Sequence, residues 1–202
     1  MKFSEGLKKL LSFGYLFLIL TGILKESVLY YQLDITILKY STITDILISP
    51  IADLATHPVL LVAVIVLFII SYAFPSFLSR KKETKWVRLF SGIKEKDEMD
   101  KDQYEKRFSD IFVTVLATAL LTFFIGIGLG EGEKISKKIK SNQIEYNNTI
   151  HYINGSSESM YLVGSNSLYY FYLTKGSQHI KISPVGAIQQ IELAGKQKKD
   201  RH

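Results

Sequence analysis

The chain has 202 residues, 47% of them hydrophobic, and carries 25 Lys and Arg against 19 Asp and Glu for a net charge of +6. It holds no cysteine, which excludes disulfides, thiol chemistry and thiolate metal sites. The basic balance does not point to nucleic acid: no basic stretch is interleaved with aromatics as a base-stacking surface needs, and much of the excess flanks apolar blocks, as in membrane proteins.

The first such block, positions 10–24, has no charge; Lys25-Glu26 and then SVLYYQL follow. Two readings stay open. In one, a span near 8–31 lets Lys25 snorkel to the headgroups, while Glu26 pairs with Lys25, sits at a helix interface or faces water. In the other, a span near 7–24 continues as helix into water. Lys8 and Lys9 could form the n-region of a signal peptide, but the apolar core is long and no A-x-A-like cleavage site follows, so a retained anchor is expected.

Positions 32–57 are too apolar for a free loop and too polar to span. Leu47, Ile48, Ile51 and Leu54 recur at helical spacing around Pro50, which predicts a short interfacial or re-entrant helix pair. Positions 58–79 carry no charge and read LLVAVIVLFIISY at their centre. At 1.5 Å per residue such a helix rises about 33 Å, enough to cross the hydrocarbon layer. Pro58 suits a first turn, and Pro75 kinks or ends the span.

The loop at 80–110 has two halves. KWVRLFSGI mixes basic residues with aromatics and suits anionic lipid, whereas 94–107 alternates charge signs like a solvated helix. The third span, 111–130, places Thr114, Thr118, Thr122, Gly126 and Gly130 four residues apart. This small-residue stripe, with a GxxxG pair, predicts a face for packing against the chain's own helices or another copy.

Beyond a juxtamembrane linker at 131–142, short segments rich in Ile, Tyr and Val alternate with turn signals such as Asn154-Gly155 and Lys175-Gly176. They predict four or five mostly antiparallel strands in a meander or small barrel at 143–194. The run Tyr169, Tyr170, Phe171 and Tyr172 puts aromatics on both faces of one strand, so one face needs cover from another strand layer, lipid or a partner. A disordered tail is expected at 195–202.

The fold class is therefore α+β: three transmembrane helices followed by a small antiparallel β-rich domain. Lys2, Lys8 and Lys9, with Arg80, Lys81, Lys82, Lys85 and Arg88, place the N-terminus and the 80–110 loop in the cytoplasm and the β-domain outside the plasma membrane. Lys134, Lys137, Lys138 and Lys140 oppose that orientation.

No P-loop, dinucleotide fingerprint, HExxH or GxSxG occurs. His151 and His179 make a weak metal pair at most, so no catalytic, cofactor or metal residues are assigned. The function expected is a non-enzymatic membrane-anchored sensing, binding or assembly module. Its partners are the lipid bilayer and a second copy or other membrane protein, through protein–protein interaction. The alternatives are a homo-oligomeric pore or membrane-disrupting effector subunit and, least favoured, a lipid-acting membrane enzyme.

Overall fold

The computed structural model describes residues 5–66, 69–70 and 101–194. The helices are α1 (Glu5–Tyr31), α2 (Ile43–Thr56), α3 (Pro58–Val66) and α4 (Lys101–Lys140). Five strands follow: β1 (Asn148–Tyr152), β2 (Ser157–Ser165), β3 (Tyr169–Thr174), β4 (Lys181–Pro184) and β5 (Ile188–Glu192). The α+β class and the antiparallel sheet expected from the turn spacing are thus present. The distal part of the 58–79 block, most of the 80–110 loop including KWVRLFSGI, and the expected tail at 195–202 lie outside the described residues.

Among the described residues two helices are long and apolar enough to cross a membrane, through Phe13–Tyr31 and Asp110–Lys140. A third candidate arises if α2 and α3, which meet at a 100° bend, count as one broken span or re-entrant loop. Helix α1 runs unbroken through Lys25-Glu26, and α4 continues past its apolar stretch to Lys140, so most of the 131–142 linker is helical. Both helices stop where a residue with a short polar side chain takes up the left-handed conformation, Asp34 after α1 (φ 59°) and Asn142 after α4 (φ 54°).

The chain packs as two compact units, Met1–Pro50 with Ile125–His202, and Ile51–Phe124. In the second unit Val64, Leu120 and Phe124 are buried, and the rings of Phe123 and Phe124 meet edge to face at 5.5 Å.

The first unit holds the sheet, with strand order β4-β3-β2-β1-β5 and every pairing antiparallel. Its edge strands are joined by one 3-10 turn, Val185–Ala187. Pro184 and Ile188, four residues apart, can be separated by about 14 Å at most, whereas the edges of a flat five-stranded sheet stand about 19 Å apart. The sheet must therefore curl into an open barrel, helped by irregularities at Leu162/Gly164 and His151/Tyr152.

Curling gives the sheet two cores. Inside it, Ile150, Met160 and Tyr172 pack with Tyr152, Leu162, Tyr170, Ile188 and Ile191. On its other side Phe171 packs against Leu29, Tyr30, Leu33 and Ile37, flanked by Ile135 and Ile139 of α4. The helix ends and the sheet thus share one core.

Candidate functional site

The feature that concentrates polar chemistry is the junction of α1, α2, the outer turns of α4 and the sheet. It is built on close backbone approaches. Gly22 of α1 abuts the Ile46 backbone of α2, leaving no room for a side chain. A Cβ at Gly128 would stand 2.5 Å from the Lys25 carbonyl oxygen, and one at Gly132 would stand 2.6 Å from that of Leu29. Gln32 staples the same contact by donating to the carbonyl of Leu129 at 3.0 Å.

These approaches surround Lys25, which is only 4% exposed. Its ammonium donates to Glu26 at 3.1 Å and to the Ser49 hydroxyl of α2 at 3.0 Å. Ser49 in turn donates to Glu26, closing a three-membered polar ring. A buried charge is tolerated when it is paired and hydrogen-bonded, and this ring meets both conditions. The Ser49–Lys25 contact has the residue types of a nucleophile and base. An ammonium held against a carboxylate is a poor general base, however, so the arrangement fits a structural lock. Ser49 carried no signal in the sequence; only the fold brings it to the pair.

A second lock ties the sheet to α2. Thr42 and Asp45 form a reciprocal cap at the helix start, with Thr42 N donating to Asp45 at 2.9 Å and Asp45 N donating to the Thr42 hydroxyl at 3.1 Å. The same carboxylate accepts from Ser167 in the β2–β3 turn, through its backbone N–H at 3.1 Å and its hydroxyl at 3.0 Å. Next to it the Asn166 amide donates to the Tyr40 carbonyl at 3.0 Å.

The aromatic run is distributed between the two cores. Phe171 meets Tyr30 at 5.2 Å between ring centroids, and Tyr169 meets Tyr40 edge to face at 5.5 Å. Tyr172 is buried inside the curl, where its hydroxyl contacts those of Tyr152 at 2.9 Å and Ser183 at 2.8 Å. Tyr170 packs half-buried on that inner core. Curling thus supplies a strand layer over one face of the run, and the helix ends cover the other.

The stripe on α4 is placed differently. Thr114, Thr118, Thr122, Gly126 and Gly130 are all exposed. The three threonine hydroxyls donate to the carbonyls four residues earlier, at 3.0, 2.9 and 2.8 Å. A Cβ at Gly126 or Gly130 would meet nothing within 4 Å. The glycines that pack within the chain are Gly128 and Gly132, two positions along and about 200° around the helix.

On the sheet surface Lys181 bonds Glu158 at 2.8 Å and holds its carboxyl below the usual range. Burial, then the Tyr172 hydroxyl and the Glu158 carboxylate, push the Tyr152 hydroxyl up. His151 contacts the Ser157 hydroxyl at 2.7 Å and Glu192 at 3.4 Å, while His179 lies in the β3–β4 loop. Serine, histidine and acid are in line there. Ser157 and Glu192 are exposed, however, and neither cleft described in this unit opens onto them. Among the described residues no group of three or more His, Asp or Glu is placed to hold a metal ion.

Among the described residues, two of the clefts open at the junction. The larger, about 790 Å³, lies between Leu33–Ile35, Ile139 and the β3–β4 loop. The smaller, about 400 Å³, lies between Glu26, the outer turns of α4 and β2. No protein-family model matches the chain, and no curated protein or solved structure matches it.

Proposed function

We propose that the chain is a multi-pass protein of the cell membrane, with spans near 8–31, 58–79 and 111–130. Its β-domain at 143–194 works outside the cytoplasm as a non-enzymatic sensing, binding or assembly module. The observation that carries the membrane reading is an inverted distribution of polarity. Turned outward on the helices are large apolar side chains such as Phe13, Leu16 and Leu20 of α1, Ile43, Ile48 and Ile51 of α2, and Val113, Val115 and Leu129 of α4, while the exposed Thr114, Thr118 and Thr122 return their hydroxyls to the carbonyls of their own helix. Turned inward are Thr21, Lys25 and the Ser49 contact, and Asp45 is spent on Thr42 and Ser167. Water would reverse that arrangement; hydrocarbon favours it.

The shared core around Phe171 supports the module reading. A ligand pulling on or ordering the sheet acts on the ends of α1 and α4 through that core. The closed ring of Lys25, Glu26 and Ser49 favours this over a pore, because those charges are met by one another within the chain. The orientation follows the Lys and Arg surplus on the N-terminal side and in the 80–110 loop.

The test is membrane fractionation followed by labelling. The chain should stay in the pellet at alkaline carbonate pH. In the cysteine-free background, Lys175→Cys should react with an impermeant maleimide on intact cells and Ser91→Cys should not. Release by carbonate would overturn the membrane assignment, and the opposite labelling pattern would overturn the orientation.

A further inference from the structure

Four lysines, Lys134, Lys137, Lys138 and Lys140, follow the apolar stretch of α4 on the side where the orientation argument least expects them. The structure gives them different surroundings. Lys137 pairs with Glu133 at 2.7 Å, both exposed, and Lys140 lines the larger cleft. Lys134 and Lys138, one turn apart on a single helix face, both line the smaller cleft against β2. Among the described residues no carboxylate lies within ion-pair distance of either.

Across the cleft stand Tyr161 and Ser165 of β2, flanking Gly164, whose missing side chain lets the Tyr30 hydroxyl approach. Two carboxylates also face the space. Glu26 is met by Lys25 at 3.1 Å, and Glu131 lies on α4 one turn before Lys134. The cleft is therefore most positive at its Lys138 end and least so near Glu131. Two ammonium groups on one wall and two hydroxyls on the other suit a compact anion with several acceptor oxygens.

We infer that this cleft binds a phosphate group, monoester or diester, with Lys134 and Lys138 closing on its oxygens from α4 and Tyr161 and Ser165 donating from β2. The anion sits toward Lys138, away from Glu131. The cleft wall also carries Leu29, Ile135 and Val163, so a phospholipid headgroup and a soluble phosphate are both admissible sources of the same chemistry. The inference names a ligand class for the module proposed above, and it rests on the membrane reading only for the lipid source.

The experiment uses the full chain purified in a non-ionic detergent and titrated, by calorimetry at fixed low salt, with inorganic phosphate and with dihexanoylphosphatidylglycerol. Saturable binding of at least one probe is expected. The Lys134→Gln/Lys138→Gln pair should weaken it about tenfold or more. Lys137→Gln should leave it unchanged, and Glu131→Gln should tighten it. That gain is the control for folding, since a damaged protein does not bind better. Binding of phosphate alone assigns a soluble ligand, and binding of the lipid alone assigns a headgroup; either supports the site. The inference is overturned if neither probe saturates, if Lys137→Gln weakens binding as much as the pair does, or if Glu131→Gln fails to tighten it. Failure of the membrane reading would show separately, as release from the carbonate pellet.

Discussion

Gly128 of α4 lies against the main chain of Lys25 of α1, so close that a Cβ would stand 2.5 Å from the Lys25 carbonyl oxygen. The two helices therefore meet backbone to backbone at the height where α1 carries its buried charge. Gly128 and Gly132 form one GxxxG pair, and Gly126 and Gly130 form a second on the far side of the same helix.

The two pairs should respond differently to substitution. Gly128→Leu or Gly132→Leu must force α1 and α4 apart, costing about 1–3 kcal/mol or more and lowering the thermal midpoint in detergent. Gly126→Leu and Gly130→Leu meet open space within the chain and should leave that midpoint within about 0.5 kcal/mol of wild type. A loss of oligomer without a loss of stability at Gly126 and Gly130 would show the stripe packing against another copy. Equal stability losses at all four positions would contradict the helix register.

The ring of Lys25, Glu26 and Ser49 predicts a non-additive pattern. Glu26→Gln removes the carboxylate from a buried ammonium and should cost about 3 kcal/mol. Combining it with Lys25→Met removes both charges and should cost less than Glu26→Gln alone. Denaturant titration of the two variants checks this. A combined variant as unstable as the sum of its parts would mean that the pair is not coupled.

At the second lock, Asp45→Asn and Ser167→Ala should show a coupling energy of about 1 kcal/mol in a double-mutant cycle. Asp45→Ala, which removes the acceptor of the Ser167 N–H, should raise hydrogen exchange in the β2–β3 turn. Simple additivity in the cycle, with unchanged exchange, would leave α2 and the turn merely adjacent.

Phe171→Ala empties the core shared by the sheet and the helix ends and should destabilise by about 3–5 kcal/mol. Protease sensitivity should appear in the strands and in the last turns of α1 together. Cleavage confined to the strands would mean that the two are independent.

The Glu158–Lys181 pair makes a pH prediction. Its folded-state pKa is depressed, so its contribution is present above the ordinary carboxylate range and is lost as pH falls through the lower folded value, below about pH 4. Both side chains are 41% exposed, so solvent screening should keep the effect below about 1 kcal/mol. Comparing wild type with Glu158→Gln at pH 7 and pH 3 reads it: the difference should shrink at the lower pH. A difference that grows would reverse the sign.

Composition and spacing determined the element types. Uncharged runs long enough to cross hydrocarbon, and short β-branched segments punctuated by Asn-Gly and Lys-Gly turns, leave few alternatives to helix and antiparallel strand, because backbone polar groups must be satisfied locally in both settings. The adjacency of Lys25 and Glu26 was likewise legible, since neighbours in sequence stay neighbours in space. What the sequence could not decide was which faces meet. Within IGIGLGEG two GxxxG pairs interleave, and only the rotation of α4 against α1 selects Gly128 and Gly132 for the contact inside the chain. The partner of the charged pair, Ser49, lies 24 residues from Lys25, and the partner of Asp45 lies 122 residues away at Ser167. Local propensity is blind to such distances. The aromatic strand shows the same limit: alternation puts Phe171 and Tyr172 on opposite faces, but covering both required the sheet to curl and the helix ends to dock. That was decided by the three-residue turn between β4 and β5 and by apolar area that no single element could bury alone.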